Sequence, residues 1–150
     1  MSITFKDHSK EVLEAIARAK QKGLEAIGLA AEGYAKKELT KLVYSRGSND
    51  KKYRLTGRLR NSITFAISGK NANISSYKDN YGNNYSYNGN APNDKEISVY
   101  IGSNVEYAPY VELGTSRQAE KPFLRPAATQ HSDEYKRLMQ DALDSELKGE

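Results

Sequence analysis

The chain has 150 residues, a formal net charge of +4 and no cysteine. This length fits a single domain with its own core, and the lack of cysteine excludes disulfides, thiolate metal sites and cysteine nucleophiles. The modest positive charge permits contact with nucleic acid without arguing for it. We therefore expect one domain over residues 1–150. Neither a signal peptide nor a membrane span is expected, because no long apolar run occurs.

Residues 6–43 are predicted to form one long helix, since apolar residues recur there every three or four positions. Gly23, Gly28 and Gly33 each weaken a helix by about 1 kcal/mol relative to alanine, so a bend or a break is also compatible with the pattern. A continuous helix of this size would be about 55 Å long, which exceeds the diameter of such a domain. Part of it is expected to project or to pack on a neighbouring subunit.

Two segments of alternating apolar and polar residues, 62–68 and 96–102, predict half-buried antiparallel strands. The apolar residues that share a face are Ile63, Phe65 and Ile67 in the first strand and Ile97, Val99 and Ile101 in the second. Residues 69–95 between them are rich in Asn, Tyr, Ser and Gly, which indicates a long polar hairpin or a mobile loop. Its tyrosines could stack on bases, but Lys78 is the one cation among them, so a protein-contacting or disordered loop is favoured.

Residues 126–148 are predicted to form an amphipathic helix that begins near Pro126. The predicted fold is therefore α+β: a long N-terminal helix and a C-terminal helix pack on a small antiparallel sheet with a long polar hairpin loop. Residues 36–60 are mainly basic and residues 131–150 mainly acidic. The basic stretch of one copy could meet the acidic helix of the next, although two solvated faces would give the same pattern.

The sequence shows no convincing catalytic constellation. His8 and His131 lack a second histidine or a carboxylate at the spacing of a metal site, and no nucleophile elbow or phosphate-binding glycine loop occurs. Glu106 and Glu112 are the best candidates for paired acid–base work, but one carboxylate pair is a weak signal. We expect a protein without enzymatic activity, cofactor or metal.

Two motifs contain more specialised residues than a plain core needs. In TGRLRNSI, residues 56–63, Gly57 permits a turn, and Arg58 and Arg60 on one side of an extended chain could bind carboxylate or phosphate together. In YAPYVELGT and KPFLRPA, residues 107–115 and 121–127, aromatic anchors stand beside charged partners, which is typical of interfaces. The predicted protein–protein interface residues are Thr56, Gly57, Arg58, Leu59, Arg60, Tyr107, Tyr110, Glu112, Gly114, Thr115, Phe123 and Arg125.

Each motif also has an interpretation that involves no partner. The first could be a connector whose arginines pair within the chain, and the second a loop whose aromatics close the edge of the core. A further alternative is a non-specific nucleic-acid-binding protein that uses the basic segment 36–60, with Lys51, Lys52 and Arg54 facing DNA. Its binding would be independent of sequence and sensitive to salt.

The order of TGRLRNSI, YAPYVELGT and KPFLRPA, followed by a C-terminal helix, resembles the head–tail joining or tail-completion proteins of lambda-like long-tailed bacteriophages. Members typically carry T-G-x-L-R-x-S-I, Y-A-x-Y-x-E-x-G-T and P-F-L-R-P-A in this order, which match residues 56–63, 107–115 and 122–127. The segment 69–95 is longer than the usual connection in that family.

The resemblance implies a small non-enzymatic α+β subunit of the virion. Such subunits form a ring, expected to be six-fold, in the neck or at the head-proximal end of the tail, and the genome passes through its middle. The implied partners are copies of the chain itself, neck proteins, tail-tube or tail-terminator proteins and, transiently, genomic DNA. Assembly would take place in the host cytoplasm, with no membrane involved.

Overall fold

The computed structural model describes residues 2–44, 56–68, 76–86, 91–92 and 95–148. The chain has an α+β fold with long helices at both ends and a small antiparallel sheet. The helices are α1 (Ser9–Leu39), α2 (Arg58–Ser62), α3 (Ala108–Leu113), α4 (Leu124–Thr129) and α5 (Ser132–Leu147), and a π-helical turn at Thr40–Tyr44 follows α1. The strands are β1 (Thr64–Ile67), β2 (Ser76–Lys78), β3 (Asn84–Ser86) and β4 (Val99–Gly102).

Helix α1 runs without a break for 31 residues, which corresponds to about 47 Å. Two of its glycines lie where another element comes close to the helix. A Cβ at Gly28 would lie 2.1 Å from Cδ2 of Phe65 in β1, and a Cβ at Gly23 would lie 2.6 Å from Sδ of Met139 in α5. Glycine therefore lets the ring and the thioether lie against the helix backbone, so these positions serve packing instead of breaking the helix.

Strands β1 and β4 form a two-stranded antiparallel sheet that packs on α1. Phe65 pairs with Ile101 and Ile67 pairs with Val99, so the predicted pairing of the two apolar faces is confirmed. Both strands are shorter than the predicted ranges 62–68 and 96–102. At the start of the first range the chain is still helical, because Ser62 closes α2 and donates its hydroxyl to the carbonyl of Leu59 at 2.7 Å. At the start of the second range, Ile97 is exposed and lies outside β4.

The polar segment 69–95 contains a hairpin, β2–β3, over residues 76–86. The buried carboxylate of Asp79 closes its turn by accepting hydrogen bonds from two backbone N–H groups of that turn, at 2.9 and 2.8 Å. Tyr77 and Tyr85 stack across the two strands with 5.3 Å between ring centroids. The hairpin alternative is therefore the correct one for these residues. Residues 69–75, 87–90 and 93–94 of the predicted loop lie outside the described residues.

The predicted single helix 126–148 is two helices. Helix α4 ends at Thr129, and α5 begins at Ser132 after His131, whose backbone (φ −119°, ψ 25°) leaves the helical region. The hydroxyl of Tyr135 donates to the carbonyl of Ala127 and holds the two helices at this corner. The break redirects the chain, so that α4 stays beside the core while α5 runs along α1. The residues at the corner, 129–134, are all polar and include neither proline nor glycine, which is why the sequence pattern does not reveal the break.

The core lies at the C-terminal end of α1. Its buried residues are Ala35, Leu39, Leu59, Ile63, Val105, Ala108, Phe123 and Ala127. Helix α5 contributes none of them: it packs chiefly on α1, and none of its 16 residues is buried. Among the described residues, no helix is both long and apolar enough to cross a membrane.

Candidate subunit interface

The TGRLRNSI motif joins the β2–β3 hairpin to the core. Gly57 has a φ of 75°, and a Cβ there would lie 2.8 Å from Oδ1 of Asn80, so both the backbone and the space require glycine. The backbone N–H of Asn80 donates to the carbonyl of Thr56 at 2.6 Å. The Thr56 hydroxyl accepts from the N–H of Arg58 at 3.1 Å, and Leu59 is buried in the core. These motif residues therefore serve the fold of their own chain.

The two arginines of this motif have separate partners inside the chain. The guanidinium of Arg58 forms a bidentate pair with Glu106, at 3.1 and 3.0 Å, and lies 4.5 Å from the ring centroid of Tyr85. That of Arg60 lies 5.2 Å from the ring centroid of Tyr44. The prediction that both guanidiniums stand together on an extended chain is wrong, because both residues belong to α2. Arg58 is thus engaged within its own chain.

The second motif forms a segment that we call the strap (residues 107–127), and Glu112 is its central residue. The buried carboxylate of Glu112 accepts hydrogen bonds from the backbone N–H groups of Phe123, Leu124 and Arg125 at 2.7, 2.9 and 2.9 Å. These donors lie at the start of α4, where N–H groups have no partner within the helix and negative charge is favoured. The carboxylate therefore ties the two halves of the strap together. The hydrogen bond from Arg125 to Glu112 comes from the backbone N–H of Arg125. The sequence had instead predicted that both charged side chains take part in an interface.

The tip of the strap is a tight turn. Gly114 has φ 74° and ψ −178°, a region that is almost exclusive to glycine, and a Cβ there would lie 2.7 Å from the backbone nitrogen of Glu120. The N–H of Thr115 donates to the carbonyl of Gln118 at 2.8 Å, and its hydroxyl accepts from the N–H of Arg117 at 3.2 Å. Gly114 and Thr115 therefore shape this turn.

Most of the predicted interface residues are thus engaged within the chain. Phe123 is 0% exposed, which leaves no surface for a partner to cover, and Leu59, Gly57 and Glu112 are buried as well. The half-buried residues of the set are Thr56, Arg58, Arg60, Tyr107 and Gly114, and the exposed ones are Tyr110, Thr115 and Arg125. The predicted DNA-facing residues Lys51, Lys52 and Arg54 lie outside the described residues. Core anchors and interface anchors have the same composition, so residue types alone did not separate them.

A surface that the motifs did not indicate lies at the N-terminus. We call residues 2–14 the arm, and every one of them is exposed. Phe5 is 92% exposed and Leu13 66%, and Ile3 and Val12 are exposed as well. The length of the predicted helix indicated that part of it would project or pack on a neighbour, but it did not indicate which residues would be exposed.

Among the described residues, α5 lies beside α1 only as far as Arg18 and does not reach the arm. Helix α5 runs antiparallel to α1: at its start His131 stacks on Tyr34 with 3.5 Å between ring centroids, and at its end Glu146 pairs with Arg18 and Lys22. The first of these α1 residues, Arg18, already lies beyond the arm. The pKa of Glu146 is lowered by the hydrogen bond from Lys22 and then by that from Arg18.

Two further places expose large apolar side chains. On the outward side of α1, Leu29 is 61% exposed, and a Cβ at Gly33 would have no atom within 4 Å. On α3, Tyr110 and Leu113 are 61% and 63% exposed, and their spacing puts them on one face of that helix. These surfaces and the arm contain large apolar side chains that the described part of the chain leaves uncovered.

The two carboxylates considered for acid–base work have separate tasks. Glu106 pairs with Arg58, and its pKa is lowered by a hydrogen bond from its own backbone and then by this arginine. Glu112 is held by the amides of α4. Within the described ranges, no group of three or more potential ligand residues is placed to hold a metal ion. No family model matches the sequence, and no curated protein or solved structure gives a significant match.

Proposed function

We propose that this chain is a non-enzymatic structural subunit that assembles with copies of itself and with other proteins. In the form that the motif resemblance favours, it builds a ring at the head–tail junction of a tailed bacteriophage, joins the tail to the head and lets DNA pass. The observation that carries the proposal is the placement of exposed apolar side chains on the arm, on the outward side of α1 and on α3.

Exposed apolar side chains are common one at a time, whereas groups of them mark contact surfaces. Covering a leucine or phenylalanine side chain contributes about 1.5–3 kcal/mol. Four large apolar residues of the arm are exposed within thirteen positions. Helix α5 packs on α1, and none of its residues is buried. A second layer of protein over these elements would complete a hydrophobic core that one copy builds only in part.

The nucleic-acid alternative has weaker support. Arg58 lies over Tyr85, and Tyr85 stacks on Tyr77, so these side chains contact each other instead of offering faces to bases. Titration with duplex and single-stranded DNA at two salt concentrations separates the two proposals. A binder that neutralises several phosphates loses affinity steeply as salt rises. A steep slope would favour the alternative, and weak binding at both concentrations would favour the structural subunit.

Sedimentation velocity and negative-stain microscopy of the purified protein test the assembly directly. We expect a concentration-dependent oligomer and ring-shaped particles. In the phage that encodes the chain, deleting its gene should give filled heads and separate tails, and adding the purified protein should restore joined particles. A protein that stays monomeric and leaves the yield of joined particles unchanged would contradict the proposal.

A further inference from the structure

The corner between α4 and α5 lacks the residues that usually separate two helices. Helices commonly end near glycine or proline and begin at a side-chain cap. Residues 129–134 include neither glycine nor proline, and within the described residues no side chain caps the start of α5. Gln130 keeps helical backbone angles, so His131 is the residue at which the chain turns. The local sequence therefore also fits one continuous helix from Leu124 to Leu147.

Two side-chain contacts hold the corner in its bent form. In a continuous helix the carbonyl of Ala127 would accept a hydrogen bond from the N–H of His131. At the corner it accepts one from the hydroxyl of Tyr135 instead. The ring of His131 stacks on Tyr34 of α1, with the two ring planes 5° apart. Helical angles at His131 would replace the first contact by a backbone hydrogen bond and carry the ring away from Tyr34.

Helix α5 can leave α1 without exposing any buried side chain of its own, because none of its residues is buried. Its middle lies against α1 where Met139 fills the space beside Gly23. Its end is held by the pairs of Glu146 with Arg18 and Lys22. Elements with few buried contacts open at a lower free energy than the core does. The α1 surface that α5 would leave, which we call the groove, consists of Arg18, Ala19, Lys22 and Gly23, and Ala19 and Gly23 are buried.

We propose that α5 exchanges between copies when the protein assembles. His131 becomes helical, α4 and α5 join into one helix about 36 Å long, and α5 of one copy packs in the groove of the next. The segment that fits the groove is known, because α5 already occupies it within one chain. The exchanged helix makes the same contacts, with Met139 beside Gly23 and Glu146 beside Lys22, so the exchange loses none of them.

The exchange explains how one contact joins any number of copies. Each copy gives its α5 to the next copy and receives one from the copy before it. Such a head-to-tail series closes into a ring or continues as a filament, and swapping an identical element is a low-cost route to oligomers. This inference rests on the proposed structural function and supplies the contact between neighbouring subunits.

A disulfide between α1 and α5 reports which copy supplies the helix. A Cβ at Gly23 would lie 3.4 Å from Cα of Met139, which puts the two positions within range of a disulfide. The chain has no cysteine of its own. The double variant Gly23→Cys with Met139→Cys is separated into monomer and oligomer, oxidised and run on a denaturing gel without reductant. We expect covalent dimers and larger multimers from the oligomer, and crosslinked single chains from the monomer.

The matched control is Ala66→Cys with Tyr100→Cys, since these residues face each other across β1 and β4. It should crosslink within one chain in both fractions. Crosslinked single chains alone from the oligomer of the first variant would overturn the exchange and leave the structural function standing. Its monomer, oxidised before assembly, should stay monomeric until reductant is added, and assembly of the oxidised form would also overturn the exchange. A wild type that is monomeric at every concentration would count against both proposals.

A second pair of variants tests the corner without cysteines. His131→Ala and His131→Gly both remove the ring that stacks on Tyr34, but alanine favours the continuous helix and glycine does not. Sedimentation velocity over a series of concentrations should give an association constant about fivefold higher for His131→Ala than for His131→Gly. Equal constants would mean that residue 131 stays bent in the oligomer, which would overturn the exchange.

Discussion

The strap and the N-terminal half of α1 differ in how well their residue types indicate which side chains are buried and which are exposed. The strap is dense in specialised residues, and those turn inwards: Glu112 holds the amides of α4, Gly114 permits the turn and Phe123 fills the core. The N-terminal half of α1 is an ordinary run of alanine, leucine, lysine and glutamate, yet it leaves Val12 and Leu13 exposed. The specialised residues of the strap stabilise the fold of their own chain, whereas a contact surface can consist of common helix residues.

This comparison separates stability from assembly. Substitutions in the strap and on the inward side of α1 should lower the free energy of unfolding, because they remove contacts within one copy. Substitutions on the outward side should change the oligomer and leave the unfolding of the subunit almost untouched. A substitution that changes both the free energy of unfolding and the oligomeric state would show that the two regions are coupled.

The largest effect is expected for Glu112→Ala, which should lower the free energy of unfolding by about 3 kcal/mol. Three backbone N–H groups lose a charged acceptor, and buried donors without partners are costly. Urea unfolding monitored by circular dichroism measures the change. Glu112→Gln keeps the shape and one acceptor oxygen, so it should cost less. If Glu112→Ala unfolded like the wild type but lost its oligomer, the carboxylate would belong to a partner surface after all.

Gly28→Ala should destabilise by about 2 kcal/mol, since an added methyl would overlap the ring of Phe65 and force it or the helix to shift. The same urea experiment applies. The double variant Gly28→Ala with Phe65→Leu provides the control, because a smaller side chain in β1 should recover part of the loss caused by the methyl group. No coupling between the two substitutions would mean that the close approach of β1 to α1 does not limit packing.

Sequence patterns predicted the structure correctly where a periodic arrangement of apolar residues determines it. Side chains alternate between the two faces of a strand with period two, so the sequence alone assigns Phe65 and Val99 to the apolar faces of two strands. The β2–β3 hairpin escaped a firm assignment because the buried Asp79 carboxylate, not apolar alternation, closes its turn. The cap by Glu112 joins residues that are eleven or more positions apart, and the corner at His131 depends on where α4 meets the core. Such contacts are properties of the folded chain.

A moderate pH effect is expected where α5 ends on α1. The pKa of Glu146 lies below the ordinary value of 4.5, through Lys22 first and Arg18 second. A depressed pKa means that the ion pair stabilises the fold above that value and that this contribution is lost as the pH falls through the folded-state pKa. Urea unfolding at about pH 7 and about pH 3 should show wild type and Glu146→Gln differing at the higher pH and converging at the lower one. An equal difference at both would exclude the ion pair as its cause.

The smallest effect, of opposite sign, is expected for Gly33→Ala. The methyl group meets no atom within 4 Å in the described chain, and alanine is favoured over glycine in a helix by about 0.5–1 kcal/mol. Measured at concentrations low enough to keep the protein monomeric, this variant should be more stable than the wild type, whereas Gly28→Ala, the same change five residues earlier, is less stable. Both substitutions gain the same helix propensity. The difference between their stabilities therefore measures the effect of the neighbouring Phe65 ring at Gly28. A loss of monomer stability for Gly33→Ala would mean that some part of the same chain already covers the outward side of α1.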